Sequence, residues 1–122
     1  MSAQAVVLAQ NVPQIVVNAV SQAATFNSAG IDLQNYEGVL SIVVQTGAIT
    51  GTLDGKIQDS ADNTAFADLA TPITFTQVTA ANKIQAVPVD ARSVRRYIRY
   101  VGTIVTGPVL ISVVANGFKK MR

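Results

Sequence analysis

The 122-residue sequence contains no cysteine, no histidine and no tryptophan. Without cysteine there is no disulfide framework, no thiol nucleophile and no thiolate metal site. Without histidine, Ser-His-Asp and Cys-His catalysis and nearly all zinc sites are excluded. So is the one side chain whose ordinary pKa suits proton transfer near neutrality. Charge is also scarce, at 13% of residues, about half the usual share. An enzyme would have to run on seven acids and nine bases. No two of the acids have a spacing that fixes a pair of carboxylates about one bond. The expectation is a non-enzymatic protein with no catalytic residue, no cofactor, no resident metal and no small-molecule substrate.

What is present is apolar. Hydrophobic residues make up 49% of the chain, which excludes disorder. At this length a chain holds one domain and buries roughly two-thirds of its unfolded surface. High apolar content with little charge argues for large apolar surfaces inside the fold or between chains, so a homo-oligomer is expected. Met1 to Ile31 carries no charge, yet it lacks a basic leader and is interrupted by Gln4, Gln10, Asn11, Pro13, Gln14, Asn18 and Gln22. Neither a signal peptide nor a membrane span is expected, and the chain reads as soluble, without sequence-encoded export.

The charges are unevenly placed. Residues 1–82 carry one cation, Lys56, against six acids, whereas residues 83–122 carry eight cations against Asp90 alone. Such a split implies a polarised surface or paired strands of opposite charge.

Strand signals dominate, because the apolar segments are short, β-branched and bounded by Gly, Asn, Asp and Pro clusters. In Val39–Thr46, Leu40, Ile42 and Val44 alternate with Ser41 and Gln45. Gly47-Ala48-Ile49-Thr50-Gly51 then turns the chain into Leu53–Ser60, where Gly55 marks a bulge or close packing. Ile84–Val89, Arg95–Thr103 and Val109–Asn116 follow, with Pro88 placing the first of these near an edge. Val109–Asn116 is apolar on both faces, as in a strand covered on both sides or buried by a neighbouring subunit. The pattern predicts an all-β fold, an antiparallel β-sandwich or jelly roll over residues 23–122, preceded by an N-terminal arm or edge strand over residues 1–22. Within that arm a helix is permitted up to Gln10, whereas Gln14–Val20 reads as a strand. The predicted core is Leu40, Ile42, Val44, Ile57, Ile98, Tyr100, Ile111 and Val113.

Three clusters carry polar chemistry. Asp59-Ser60-Ala61-Asp62-Asn63 has four oxygen-bearing side chains in five residues, but its spacing matches no calcium loop and it reads as a turn. Tyr36 beside Glu37 is the best candidate for a carbohydrate platform, weighed against a tyrosine that closes a loop edge through its hydroxyl. Arg92-Ser93-Val94-Arg95-Arg96-Tyr97-Ile98-Arg99-Tyr100 is rich enough in guanidinium and phenol to track phosphates. Alternation in a strand divides its cations between two faces, so a protein partner is favoured over nucleic acid. Arg95, Tyr97 and Arg99, sharing one face, are the candidate interface residues. The competing reading pairs these arginines with Asp54 or Asp59 on a neighbouring strand of the same chain.

From Ile31 onward the order of elements resembles the capsid decoration, or cement, proteins of tailed bacteriophages, which are small β-sandwich virion proteins. The resemblance rests on Gly30-Ile31-Asp32-Leu33 with Tyr36-Glu37, on Thr46 to Gly51, on Gln58 to Asn63 followed by Phe66, and on Arg95-Arg96-Tyr97-Ile98-Arg99-Tyr100. The Arg-Tyr strand also looks like that of galactose-binding-type jelly rolls. The phage resemblance implies a protein made in the host cytoplasm that binds the major capsid protein on the outer capsid surface as a small oligomer, commonly a trimer, and stabilises joints between capsomers. It implies neither nucleic-acid nor membrane partners. A carbohydrate-binding or adhesion sandwich, and another virion part such as a head-tail or tail component, are the alternatives.

Overall fold

The computed structural model describes residues 11–119, which form nine strands. These are β1 (Asn11–Gln22), β2 (Phe26–Asn27), β3 (Ile31–Asp32), β4 (Tyr36–Ile49), β5 (Thr52–Ser60), β6 (Ala67–Thr74), β7 (Lys83–Asp90), β8 (Tyr97–Val105) and β9 (Val109–Lys119). One sheet runs β1-β9-β4-β7 and the other β2-β8-β5-β6, with β3 continuing the β2 edge along β8. All pairings are antiparallel. Counting β2 and β3 as one interrupted strand, the first strand lies beside the last, and the chain crosses between sheets at every connection except the one from β5 to β6, which pair within one sheet. This is the eight-stranded jelly roll that closes two Greek keys over one core.

The alternation seen in the sequence is the reason the sheets face each other. Leu40, Ile42 and Val44 of β4 and Ile111 and Val113 of β9 point inward from one sheet, and Ile57, Ile98 and Tyr100 from the other. All eight residues of the expected core are buried. Gly55 and Gly102 lie directly opposite each other on β5 and β8. A Cβ at Gly55 would overlap the Tyr100 ring and one at Gly102 the Phe26 ring. Close packing, rather than a bulge, explains Gly55. The two glycines make the slot in which Tyr100 meets Phe26 at 5.9 Å and Phe75 edge-on at 5.4 Å between ring centroids.

Residues 11–22 are the edge strand of the sandwich rather than a separate arm, bulged twice where Ile15, Val17 and Val20 shift register against β9. The helix allowed before Gln10 lies outside the described residues. Sequence alternation missed β6, whose Ala67-Asp68-Leu69-Ala70-Thr71-Pro72 run has weak β-propensity. It is a strand because β5 pairs with it at both ends: Asp68 lies against Gln58 and Ile73 against Ile57, while residues 69–72 loop out between.

Candidate functional site

The Arg-Tyr segment does not lie as one strand face. Strand β8 begins at Tyr97, and Arg95 sits in the irregular segment before it. The carboxylate of Asp59, 7% exposed at the end of β5, takes the Arg95 backbone N–H at 3.0 Å. The same carboxylate accepts from Arg95 Nε at 3.0 Å and Nη2 at 2.9 Å, and Nη2 also donates to the Asp59 carbonyl at 2.9 Å. Of the two intrachain partners weighed from the sequence, Asp59 is therefore the one used. Asp54 instead accepts from Gln77 Nε2 at 3.0 Å. Arg95 is thus pinned to β5 and is not part of strand β8 with Tyr97 and Arg99.

Tyr97 and Arg99 do share the outward side of β8, because Ile98 between them and Tyr100 after them are buried. Arg99 donates through Nε and Nη2 to Gln58 Oε1 at 2.9 and 2.7 Å and lies 4.5 Å over the Phe66 ring. Gln58 Nε2 donates to Asp68 at 2.9 Å, and Lys56 pairs with the same carboxylate at 2.9 Å. Beside this network Arg96 grips Asp32 through Nε at 3.0 Å and Nη2 at 2.8 Å, and lies 5.0 Å over the Tyr97 ring. The outer face of the second sheet is therefore a charged and aromatic mosaic. Planar guanidiniums are held over rings there, Arg99 on Phe66 and Arg96 on Tyr97. Phe66 and Gln58 went unrecognised as parts of it; Phe66 follows the turn in sequence, but only the fold brings it under Arg99.

The turn reading of residues 59–63 holds. Asp62 Oδ1 accepts the N–H groups of Thr64 and Ala65, each at 3.0 Å, and the Ser60 hydroxyl at 2.8 Å, while Asn63 takes the left-handed conformation at φ 61°. Tyr36 is no exposed platform. It is buried, and its hydroxyl donates toward the Val12 carbonyl at 3.3 Å and Gln14 Oε1 at 3.2 Å, which ties β1 to β4. An open groove of about 710 Å³ lies where β6 loops out beside β7, with Leu69, Ile73 and Val94 on its wall. Its acids are engaged: Asp59 by Arg95, Asp68 by Lys56 and Gln58, and Asp90 by Arg92.

No protein-family model matches the sequence, and neither does any curated protein sequence. Among solved structures the chain is similar to the crystal structure of SPBc2 prophage-derived protein YomS, with a TM-score of 0.59 over 88% of this chain and 93% of that one, at 12% identity. The likeness is one of fold. It extends over nearly the whole of both chains.

Four carboxylates are held below the ordinary carboxylate value. The Ala65 N–H, with the Ser60 hydroxyl and the Thr64 N–H, lowers Asp62 to about 2. The hydrogen bond from Arg96 lowers Asp32, that from Gln58 lowers Asp68, and that from Arg92 lowers Asp90. A pKa depressed by folding stabilises the fold above the unfolded value, and that contribution is lost as pH falls through the folded value. With no histidine in the chain, no side-chain step is expected between about pH 5 and 8. Urea midpoints should therefore stay level from about pH 8 to 5 and fall between about pH 4 and 2. A decline beginning near pH 6 would contradict this assignment.

Proposed function

We propose that the chain is a non-enzymatic structural protein of a tailed-bacteriophage virion. It binds the major capsid protein on the outer capsid surface as a homo-oligomeric decoration protein. The observation that carries this reading is the jelly roll shared almost end to end with a prophage-derived protein. The absence of histidine and cysteine supports a binding rather than a chemical role. A shell pressed outward by packaged DNA is stabilised by any protein that binds only the assembled lattice, and many identical sites multiply a modest free energy. Burial of Tyr36 removes the best candidate for a carbohydrate platform and so disfavours the lectin alternative.

In this reading the particle-facing surface is the mosaic around Tyr97 and Arg99, with Arg95 left to its structural pairing. Tyr97→Ala/Arg99→Ala should leave folding and self-association intact and raise the dissociation constant for purified capsids at least about tenfold. Wild-type binding should weaken between about 50 and 500 mM salt. Co-sedimentation with particles measures both effects, and cryo-electron microscopy of the particles should place the added density on the outer capsid surface. Density on the tail would replace this reading with the tail-component alternative. Unchanged binding by the double variant would move the contact elsewhere on the molecule.

A further inference from the structure

The two outer faces of the sandwich differ sharply in charge. Across the β1-β9-β4-β7 sheet, the paired residues Ile15, Val114, Val43 and Ala86 form a row that is apolar on every strand. These side chains point away from the core, since Ile42, Val44, Val113 and Ala115 beside them are buried inward. The flanking rows are neutral: Asn116, Ser41 and Pro88 on one side, and Ser112, Gln45 and Ile84 on the other. Ile15 is 65% exposed and Ile84 68%. Among the described residues, charge reaches this face only at one end, where Glu37 and Asp90 stand on its rim. The opposite sheet carries Lys56, Asp68 and Arg99 on its surface. The neutrality of the first face is therefore local rather than a property of the whole chain.

We infer that this neutral face is covered by the same face of a second copy, in a two-fold pair. A charged partner surface would lose hydration against it and gain no counter-charge, whereas a copy of the face presents charge only on its rim. The size also fits. Four strands about 4.8 Å apart and about ten residues long, at about 3.3 Å each, give a footprint of roughly 19 by 33 Å. Two such faces bury on the order of 1,200 Å², the lower end of the range for specific, stable association. Association through strand edges is disfavoured, because β1 carries Pro13 and β7 carries Pro88, neither of which can donate to an added strand. Face-to-face packing at about 10 Å remains. It also accounts for Val109–Asn116, whose second apolar side, Leu110 and Val114, no other part of the described chain covers. The inference rests on the reading of the chain as a homo-oligomer and replaces the trimer implied by the resemblance with a pair.

Sedimentation equilibrium of the full chain tests it without particles. The wild type should have twice the 12.8 kDa chain mass at micromolar concentration. Val43→Lys and Val43→Glu, at the centre of the face, should each sediment as a monomer, with a pair dissociation constant at least about 100-fold higher and an unchanged circular dichroism spectrum. Mixing the two should restore a pair, because a two-fold contact places the substituted positions near each other. Ala86→Lys, on an exposed edge strand, should also dissociate the pair if the central variants fail to fold. Thr103→Lys, on the opposite sheet, should not dissociate it. A monomeric or trimeric wild type, or a Val43→Lys or Ala86→Lys variant that keeps the wild-type mass, overturns the inference. A protein that pairs but never binds capsids overturns the proposed function instead and leaves this contact standing.

Discussion

Ile42→Ala is expected to lower unfolding stability by about 2–5 kcal/mol, while Val43→Ala, one residue along the same strand, should cost the isolated fold less than about 1 kcal/mol. The two side chains differ in what surrounds them. Ile42 is 1% exposed and packs between the sheets in the middle of β4, hydrogen-bonded strand to strand with both β7 and β9. Removing three carbons there leaves a hole that neighbours on fixed strands cannot close, so the lost burial and the cavity add. Val43 faces outward and is only partly buried. A domain of this size has about 5–15 kcal/mol in total, so the upper end of the Ile42 loss approaches unfolding at physiological temperature. Urea denaturation with an unchanged slope measures the difference, at one fixed protein concentration because self-association adds to apparent stability. Equal losses at the two positions would mean that the sheet is not oriented as described.

That contrast shows which parts of the molecule were legible beforehand. Where one face of a strand is buried, alternation is forced by a period of two, and Leu40, Ile42 and Val44 announced both β4 and its inward side. The same logic worked for β5 and β9, whose predicted starts and ends shift by at most a few residues. Strand β6 was not legible because its sequence is a poor strand former and only its neighbour makes it one. The start of β8 was misplaced by two residues for a different reason. Nothing local distinguishes Arg95 from Tyr97 as a strand residue; the difference is a carboxylate 36 positions earlier that captures the Arg95 N–H and keeps it out of the sheet ladder. Long-range hydrogen bonds of this kind leave no periodic trace. The grouping of Arg99 with Phe66 and Gln58 escaped for the same reason, whereas the neutral outer face could be suspected from the double apolarity of Val109–Asn116.

Asp59→Ala is expected to cost about 2–3 kcal/mol, more than Arg95→Ala at about 1–2 kcal/mol, because the two substitutions leave different groups without partners. Asp59 is buried and serves two donors: the Arg95 backbone N–H on Oδ2 and the guanidinium on Oδ1. Its removal strands a part-buried N–H, which alone is worth about 1–3 kcal/mol. The guanidinium is about half exposed, with a side-chain exposure of 47%. Its attraction to the carboxylate is therefore screened by solvent and adds only about 0–1 kcal/mol. Arg95→Ala keeps the backbone N–H on its acceptor and loses the screened pair together with the Nη2 bond to the Asp59 carbonyl. Asp59→Asn separates the contributions, since its amide oxygen can still accept the N–H while the charge is gone; it should recover about half of the Asp59→Ala loss. Chemical denaturation of the three variants ranks them. The particle assay then decides what Arg95 is for: Arg95→Ala should bind capsids as the wild type does once folded. Full stability with at least about tenfold weaker particle binding would return Arg95 to the interface beside Tyr97 and Arg99.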